Sequence, residues 1–423
     1  MTLAALEKEG YTGKSRRGCG MNSDQNLRMK YQSYCAALAA CRAPLAWLDL
    51  QAFQHNLAWI ASRSQGKRIR LGSKSLRSLW VLRSILNFNP LFEGMLTMSI
   101  PESIWLFKQG FNDFLVGYPS AHSTDFTGLS EVLRAGASIT LMADREEHLE
   151  LLERYAASQG VTLRVALDLD VSSDFGFLHF GVFRSSLKSV KDLAALFARR
   201  SQWKHLQVVG LLAYEAQIAG VPDYFSNPMK RWIVRQLKKR SKAQVLEKRA
   251  EALEWLRSHD FSIEFVNGGG SGSLAWTAAD PTVSEVTVGS GFFAPRLFDH
   301  YQDLSLQPAA GFALRVSRMP QQGIWTCSGG GYPASGSAGV DRLPQPYLPE
   351  RLALLELEGA GEVQTPIRFI SSGMGQLSCG DLVFFRHAKA GELCERFGQL
   401  HVIDGNQCVN QVPTYRGEGQ QWM

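Results

Sequence analysis

The sequence predicts an α/β protein, a (β/α)8 TIM barrel followed by a smaller, mostly β C-terminal domain. Between residues 44 and 300, short apolar and β-branched runs alternate with amphipathic helical patterns, which is typical of a parallel sheet covered by helices. Eight such units fit the size of a barrel of this kind. From about residue 308 the helical periodicity disappears and Gly, Pro and Val become frequent, which indicates the β domain. An open doubly wound sheet is the alternative for the first part.

We expect three regions in chain order. Residues 1–43 form an arm and a helix near 31–41, and residues 301–423 form the β domain, with strands near 351–356, 382–386 and 399–402. Residues 44–300 form the barrel domain. Within it, a short strand at 45–50 and a helix at 53–63 come before the eight barrel strands. The eight predicted barrel strands are 69–74, 92–99, 113–119, 138–144, 163–170, 207–214, 262–268 and 285–291.

Composition limits the class of protein and its surroundings. The chain has 423 residues, of which 45% are hydrophobic and 20% charged, as is ordinary for a soluble enzyme of about two domains. It has no apolar run long enough for a bilayer and no apolar signal core at its start, so we expect a cytoplasmic protein. The seven cysteines are scattered without a C-x-x-C pair, which favours free thiols in a reducing compartment.

The net charge of +6 is concentrated in one segment. Residues 230–249 hold nine Lys or Arg and only Glu247 opposing them. This pattern is compatible with an anion or nucleic-acid surface, or with an outer helix whose apolar face packs on the barrel. We favour the outer helix and expect neither a nucleic-acid nor a membrane partner, since aromatic interleaving is sparse. The residues expected to pack are Trp232, Ile233, Leu237, Val245 and Leu246.

Chemically informative residues gather at the predicted strand ends, which meet on one face of a parallel barrel. The first strand ends in Lys74, the fifth in Asp168 and Asp170, and the sixth in Tyr214. The seventh and eighth run into glycine loops at 268–273 and 289–291, where backbone N–H groups can hold a phosphate. Because lysines are rarely buried without a partner and we expect the rest of the barrel interior to be apolar, Lys74 is more than a solvated lysine.

A lysine amine beside a phosphate cradle predicts a Schiff-base enzyme with a phosphorylated cofactor, most plausibly pyridoxal phosphate. A barrel that forms a Schiff base with a sugar phosphate is the alternative. For the individual features the plainer interpretations are a solvated lysine, an ordinary turn, and a tyrosine that only packs.

The order of these parts resembles the alanine-racemase-like (fold type III) enzymes that use pyridoxal phosphate, and within them the D-threonine aldolase and D-serine dehydratase branch. The resemblance runs from Pro44 to Arg416. Segments 386–396 and 413–419 look closest to a group labelled amino acid deaminase/aldolase. The motifs that carry the resemblance are Arg70-x-x-x-Lys74, Gly117-Tyr118-Pro119, Tyr214-Glu215-Ala216-Gln217, the loop Gly268–Ser273, and Gly380-Asp381 leading into His387-Ala388-Lys389.

The resemblance implies roles for particular residues. Lys74 would form the Schiff base with pyridoxal phosphate, and Tyr214 would contact its ring or its oxygen. The family also implies a homodimer in which the partner's β domain completes each active site. The residues that would hold the phosphate are Gly269, Gly270, Ser271, Gly272, Ser290 and Gly291.

The chain departs from the family pattern at three places. Gly72 stands where the branch usually has a histidine, and His179 stands where an arginine is common, which puts a contact from that position to the ring nitrogen in doubt. Lys389 replaces the second ligand of a divalent metal, and a protonated lysine cannot coordinate one. We therefore expect no metal site, although His387 with Glu392 or Cys394 could form one.

His387 and Lys389 alternate along a predicted strand, so we expect both on one face, directed at the partner's cofactor. Lys389 would bind a substrate carboxylate or phosphate or replace the charge of the metal, and His387 would shuttle protons. The plainer interpretation is an exposed basic pair. We predict a pyridoxal-phosphate lyase of aldolase or deaminase type, acting on a D-configured β-hydroxy amino acid. The alternatives are an amino acid racemase or epimerase, and a non-catalytic carrier of pyridoxal phosphate.

Overall fold

A computed structural model describes residues 22–198, 200–337, 339–370 and 376–422. The arm predicted before residue 22 lies outside these residues. The helices are α1 Asn22–Ala37, α2 Leu50–Arg63, α3 Leu79–Leu86, α4 Ile100–Lys108, α5 Leu129–Arg134, α6 Glu146–Gln159, α7 Val190–Leu196, α8 Ala216–Ala219, α9 Pro228–Ser258, α10 Leu274–Ala278 and α11 Glu392–Arg396.

The strands are β1 Leu45–Asp49, β2 Arg68–Gly72, β3 Phe92–Thr97, β4 Phe114–Val116, β5 Ile139–Ala143, β6 Leu163–Asp168, β7 Ser173–Phe175, β8 Leu178–Phe180, β9 Leu206–Leu212, β10 Phe265–Gly268, β11 Glu285–Val288, β12 Ala310–Gln321, β13 Ile324–Ser328, β14 Gln345–Leu348, β15 Leu352–Leu354, β16 Gln364–Phe369, β17 Leu382–Arg386, β18 Gln399–Asp404 and β19 Gln407–Pro413.

Eight of these strands form a closed parallel barrel in the order β2, β3, β4, β5, β6, β9, β10, β11. The barrel closes where β11 pairs with β2, with Val288 opposite Leu71. The predicted (β/α)8 barrel is therefore confirmed, and the open doubly wound sheet is excluded. The strands are apolar on both sides because helices cover the outside and the strands pack against one another inside.

The barrel interior differs from the expectation, because it is not uniformly apolar. Arg70 on β2 is only 1% exposed, and its Nε donates to Glu285 Oε1 at 2.8 Å. Its Nη1 donates to Asp113 Oδ1 at 3.0 Å, and Asn267 Nδ2 donates to Glu285 Oε1 at 2.8 Å. The carboxylates surround the guanidinium and offset the cost of its burial. This polar group involves the first residue of β11 and so lies toward the amino ends of the strands.

The β domain is a nine-stranded sheet with the path β15-β16-β13-β12-β1-β18-β19, and β17 pairs with both β12 and β14. The early strand β1 belongs to this sheet, antiparallel to β12 and parallel to β18. Helix α1 covers it, and Tyr34 Oη donates to Asp49 Oδ2 at 2.5 Å. The expected boundary at residue 44 assigned β1 to the barrel. Strand pairing assigns it to the β domain, because both of its neighbours come from the C-terminal part.

The basic segment lies within the long helix α9, as the outer-helix interpretation expects. The set of packing residues was partly wrong, since Trp232 is 63% exposed and Leu246 is 38% exposed. The buried face instead follows a helical period through Val234, Lys238, Ser241, Val245 and Arg249. Two of the basic side chains are thus buried and paired rather than presented to a ligand.

Two further features bear on the sequence-based expectations. Across the described residues, no helix is long and apolar enough to cross a membrane. The six cysteines in the described ranges are free thiols, as expected, and Cys19 lies outside those ranges.

Candidate active site

Lys74 lies at the carboxyl end of β2, in a single 3-10 turn over Ser73–Ser75. The base of the turn is buried, and Ser73 Oγ donates to Leu96 O at 3.1 Å. Arg77 Nε donates to Lys74 O at 2.7 Å and fixes the other end. The lysine side chain itself is exposed at the mouth of the barrel. A rigid backbone therefore presents an accessible amine where active sites form in this fold.

The amine of Lys74 faces a tyrosine that the sequence identified only as part of a motif. Lys74 Nζ lies 3.0 Å from Tyr118 Oη. Arg184 also lies beside Tyr118. Its guanidinium is 5.4 Å from the Tyr118 ring centroid and 6.0 Å from the Tyr214 ring centroid. Burial alone would raise the pKa of Tyr118, but Lys74 and Arg184 outweigh it and lower that pKa.

Asp168, the last residue of β6, holds Arg184 in place. Arg184 Nε donates to Asp168 Oδ2 at 2.6 Å, and its Nη2 donates to Gly117 O at 2.9 Å. Burial raises the pKa of Asp168 to about 6, although Arg184 opposes the shift. Its second oxygen, Oδ1, is buried and has no hydrogen-bond partner within the described ranges.

The fully buried carboxylate of Glu215 fixes the glycine loop after β10 through hydrogen bonds. One carboxylate oxygen accepts from the Gly269 N–H at 3.1 Å and the other from Ser273 Oγ at 2.8 Å. Thr277 Oγ1 and Arg249 also donate to this carboxylate. A charged acceptor shared by four donors fixes the loop conformation.

The fixed loop leaves little room for side chains. A Cβ added at Gly270 would lie 3.1 Å from Ala219 Cβ and 3.3 Å from Tyr214 Cε2, so a side chain there would be crowded. Within the described parts of the chain, the N–H groups of Ser271 and Gly272 donate to no protein acceptor. A glycine loop whose backbone N–H groups are not used by protein acceptors fits a phosphate group.

The loop after β11 joins the same face. Gly291 N donates to Ser271 Oγ at 2.8 Å, which links the two glycine loops, and Ser290 precedes it in the same 3-10 turn. A Cβ added at Gly289 would lie 2.9 Å from both Gly72 O and Ser75 Oγ. The lysine turn and the phosphate-sized cradle are therefore immediate neighbours around the barrel mouth.

Tyr214 follows β9 and lies beside the cradle, half-buried. Burial raises its pKa to about 12, and the adjacent carboxylate of Glu215 adds to the shift. The phenol is therefore protonated at neutral pH and can donate a hydrogen bond to a bound group.

His387 and Lys389 do not alternate along a strand, contrary to expectation. β17 ends at Arg386, because the backbone beyond it pairs with the end of the barrel region: Arg296 N donates to His387 O at 3.0 Å. His387 is only 5% exposed, and burial lowers its pKa to about 3, so its imidazole is neutral. Lys389 lies in a bend and donates to Ser335 O at 3.1 Å. Different environments thus separate the two residues.

The segment that carries these residues packs on the lysine turn of the same chain. Cys394 Sγ donates to Leu76 O at 3.3 Å, and Glu395 pairs with Arg77. A Cβ added at Gly391 would lie 2.7 Å from Lys74 O. The β domain therefore covers the outer side of the Lys74 turn within one chain.

The suggested metal ligands are not arranged as a site. Among the described residues, no group of three or more His, Cys, Asp or Glu could hold a metal ion. Burial raises the pKa of Cys394 to about 12, and its Sγ donates to Leu76 O at 3.3 Å. Glu392 Oε1 accepts from Ser335 Oγ at 2.8 Å. Both ring nitrogens of His387 lack hydrogen-bond partners in the described ranges.

His179 lies in the β7–β8 hairpin, where its Nδ1 is 2.8 Å from Asp174 Oδ1 and its ring stacks on Phe183. It does not take the place of the family arginine. Arg184, five residues further on, supplies the guanidinium at the mouth. An arginine two residues after Gly181-Val182 was the signal in the sequence, but spacing alone could not show which way its side chain turns.

Comparison with known proteins identifies the family. The profile of the family described as alanine racemase, N-terminal domain, matches residues 48–296. No curated protein matches the chain.

Three solved structures illustrate the similarity in fold. D-threonine aldolase from Filomicrobium marinum has a TM-score of 0.74 and 18% identity, with 90% of this chain and 96% of that chain covered. D-threo-3-hydroxyaspartate dehydratase from Delftia sp. HT23 has a TM-score of 0.69 and 18% identity, with coverages of 89% and 98%. Alanine racemase from Bacillus anthracis has a TM-score of 0.60 and 15% identity, with coverages of 89% and 99%.

At these identities the solved structures show a shared fold, and they do not show which reaction this chain catalyses. The family profile spans more than half of the chain and coincides with the barrel. The chain therefore belongs to the alanine racemase N-terminal domain family, a family of fold type III enzymes that bind pyridoxal phosphate.

Proposed function

We propose that this protein is a pyridoxal-phosphate lyase of aldolase or deaminase type that acts on a D-configured β-hydroxy amino acid. The observation that carries the proposal is the contact between the Lys74 turn and the loop after β11, which itself bonds to the loop after β10. An accessible amine and a phosphate cradle then share one barrel mouth. The names of two structural neighbours, a D-threonine aldolase and a D-hydroxyaspartate dehydratase, support the substrate class.

In this proposal Lys74 binds the cofactor aldehyde, and the cradle Gly269, Gly270, Ser271, Gly272, Ser290 and Gly291 binds its phosphate. Pyridoxal phosphate supplies an electron sink for a bond broken at Cα of the substrate. Tyr214 orients the ring by donating its phenol hydrogen. Glu215 fixes the conformation of the loop by accepting the Gly269 N–H. These roles of the protein residues are the same whichever bond of the substrate is broken.

The cationic side of the mouth fits an amino acid substrate. Arg184 contributes a fixed positive charge between Tyr118 and Tyr214. Lys389, on the segment that packs beside the Lys74 turn, is the residue we assign to a substrate carboxylate or phosphate. The buried, neutral His387 is less suited to bind an anion and keeps only the proposed proton-transfer role. No metal is needed for this assignment, and the metal dependence of the reaction stays open to test.

A racemase is the second candidate, because one structural neighbour is named alanine racemase and Lys74 can serve as one of the two acid–base groups that racemisation needs. A lyase releases an aldehyde or ammonia, whereas a racemase only inverts Cα. Product analysis therefore separates the two.

We include a homodimer in the proposal. Phe177 and Phe183 are each 88% exposed, and both lie near the hairpin that leads to Arg184. Large apolar side chains at this level of exposure are typical of a surface that another protein covers. Sedimentation velocity of the purified protein should give a dimer, and a monomer at assay concentration would remove this part of the proposal.

The test is the visible absorption spectrum of the purified protein with pyridoxal phosphate, before and after borohydride. After gel filtration has removed the free cofactor, we expect a coloured species that borohydride bleaches and that Lys74→Ala lacks. Lys108→Ala, at an exposed lysine on α4, is the matched control and should keep the colour. A panel of D- and L-β-hydroxy amino acids, assayed for aldehyde, ammonia and inversion, then gives the reaction. A protein that stays colourless with the cofactor would overturn the proposal.

A further inference from the structure

We propose that Tyr118 is a catalytic acid–base residue that exchanges a proton with the amine of Lys74. The inference rests on the proposed function, in which Lys74 captures the cofactor. Tyr118 Oη lies 3.0 Å from Lys74 Nζ, so a proton can pass between the two atoms directly. The two residues follow different strands, β2 and β4, which flank β3 in the barrel.

The surroundings of Tyr118 suit it to this role. The charged and titratable groups that face it are Lys74 from the turn after β2 and Arg184 from the segment after β8, with Tyr214 beyond Arg184. Burial raises the pKa of Tyr118, but the two cations outweigh burial and lower it. Tyr214 shows the opposite balance, since burial raises its pKa to about 12. Of these two phenols, Tyr118 is the one that ionises at the lower pH.

Arg184 is a positioning residue in this arrangement. Asp168 binds its Nε at 2.6 Å, and the carbonyl of Gly117, the residue before Tyr118, binds its Nη2 at 2.9 Å. The guanidinium is therefore held at a fixed place beside the Tyr118 ring. Its charge favours the phenolate without taking part in the proton transfer, because an arginine does not release a proton at neutral pH.

For proton exchange with Lys74 itself, accessibility favours Tyr118 over His387, to which the sequence assigned a proton-transfer role. His387 is 5% exposed, whereas Tyr118 is 38% exposed. A half-open phenol can reach both the lysine nitrogen and a molecule entering the mouth. A buried imidazole in the β domain cannot do so without rearrangement.

The exchange conserves charge and electrons. The Lys74 ammonium loses a proton when its N–H bond breaks, and the Tyr118 phenolate gains it as an O–H bond forms. The two opposite charges cancel, and the lone pair of the lysine nitrogen becomes available for attack on a carbonyl carbon. The phenol then holds a proton that the carbonyl oxygen beside Lys74 can take up.

The first test uses the cofactor-free protein and follows tyrosine ionisation by ultraviolet difference absorbance. We expect one tyrosine to ionise below the ordinary tyrosine range in the wild type and this step to be absent in Tyr118→Phe. In Arg184→Gln the step should move to higher pH. Tyr224→Phe is the matched control, because Tyr224 is 37% exposed and its ring contacts Arg231 rather than Lys74. Identical titrations of wild type and Tyr118→Phe would overturn the proposal.

The second test measures the rate at which each protein captures pyridoxal phosphate, by stopped-flow absorbance across a range of pH. Tyr118→Phe should capture about 100-fold more slowly, at the lower end of the effect of a positioned acid–base group. In Arg184→Gln the pH at which the capture rate changes should move upward together with the tyrosine titration, which a merely structural role would not cause. Equal capture rates in wild type, Tyr118→Phe and Tyr224→Phe would refute the inference.

The two proposals fail in different ways. If the wild type forms no species that borohydride bleaches, the cofactor assignment fails, and the role of Tyr118 as the partner of Lys74 in capture fails with it. If the wild type does form it and Tyr118→Phe forms it just as fast, the proposed function stands and the role of Tyr118 fails.

Discussion

Glu215→Gln is the change whose consequences follow most directly from the structure. Glu215 is fully buried, and its two oxygens accept from Gly269 N–H, Ser273 Oγ, Thr277 Oγ1 and Arg249. Glutamine keeps the size of the side chain but presents an NH2 group to donors and removes the negative charge. One donor then faces another donor, and among the described residues Asp280 is the charged partner that Arg249 retains.

The magnitude follows from the burial of the pair. Both side chains of the Arg249–Glu215 pair are 0% exposed. Removing one partner of such a buried pair costs about 3–5 kcal/mol, because the remaining charge is not solvated. For a urea dependence of about 3 kcal/mol per molar, the midpoint of unfolding should fall by about 1 M or more.

The assay is urea unfolding of the cofactor-free protein, followed by tryptophan fluorescence. Glu264→Gln is the matched control, because it makes the same substitution in the Arg164–Glu264 pair, whose side chains are 33% and 44% exposed. A pair at this exposure contributes about 0–1 kcal/mol, so its midpoint should hardly change. If the two variants shift the midpoint equally, the argument that the buried carboxylate stabilises the glycine loop is wrong.

Two further predictions concern the cradle and the β domain. Gly270→Ala adds a Cβ 3.1 Å from Ala219 Cβ and 3.3 Å from Tyr214 Cε2, so the loop must shift. Overpacking of this kind costs about 1–3 kcal/mol, so the affinity for pyridoxal phosphate, measured by absorbance titration, should fall by about tenfold or more. Unchanged affinity would place the phosphate elsewhere. Burial lowers the pKa of His387 to about 3, below its unfolded value, so its neutral form contributes stability above about pH 6.5 that is lost as the pH falls toward 3. When the pH falls from 7 to 5, the free energy of unfolding should therefore decrease by about 2 kcal/mol less in His387→Gln than in the wild type, as measured by urea unfolding. Equal losses in the two proteins would mean that the imidazole is not buried as described.

The correspondence between sequence and structure depends on how far apart the interacting residues lie. The alternation of apolar runs and amphipathic segments predicts the eight barrel strands, because burial on both faces requires apolar runs. The position of β1 was not predictable in the same way. Its five residues are all buried, as a barrel strand's would be, but their partners lie on β12 and β18, far along the chain.

The same distinction holds within the active site. Lys74 and the glycine loop could be found in the sequence because each is a local signal, a lysine at a strand end and a run of glycines before a short helix. Tyr118, Arg184 and the buried pair of Glu215 with Arg249 are defined by contacts between separate segments. The direction in which Arg184 turns depends on Asp168, 16 residues earlier in the chain, and no local pattern contains that information.

The sequence by itself thus determined the architecture, the family and the lysine that we assign to the cofactor, because hydrophobic periodicity and local backbone chemistry are written into short stretches of chain. Only the tertiary structure decided which ionisable groups face one another. His387, expected on an accessible strand face, is buried and neutral, and the accessible group beside Lys74 is Tyr118. The physical reason is that barrel closure and domain packing set the distances and the burial that determine protonation, and both depend on the whole chain.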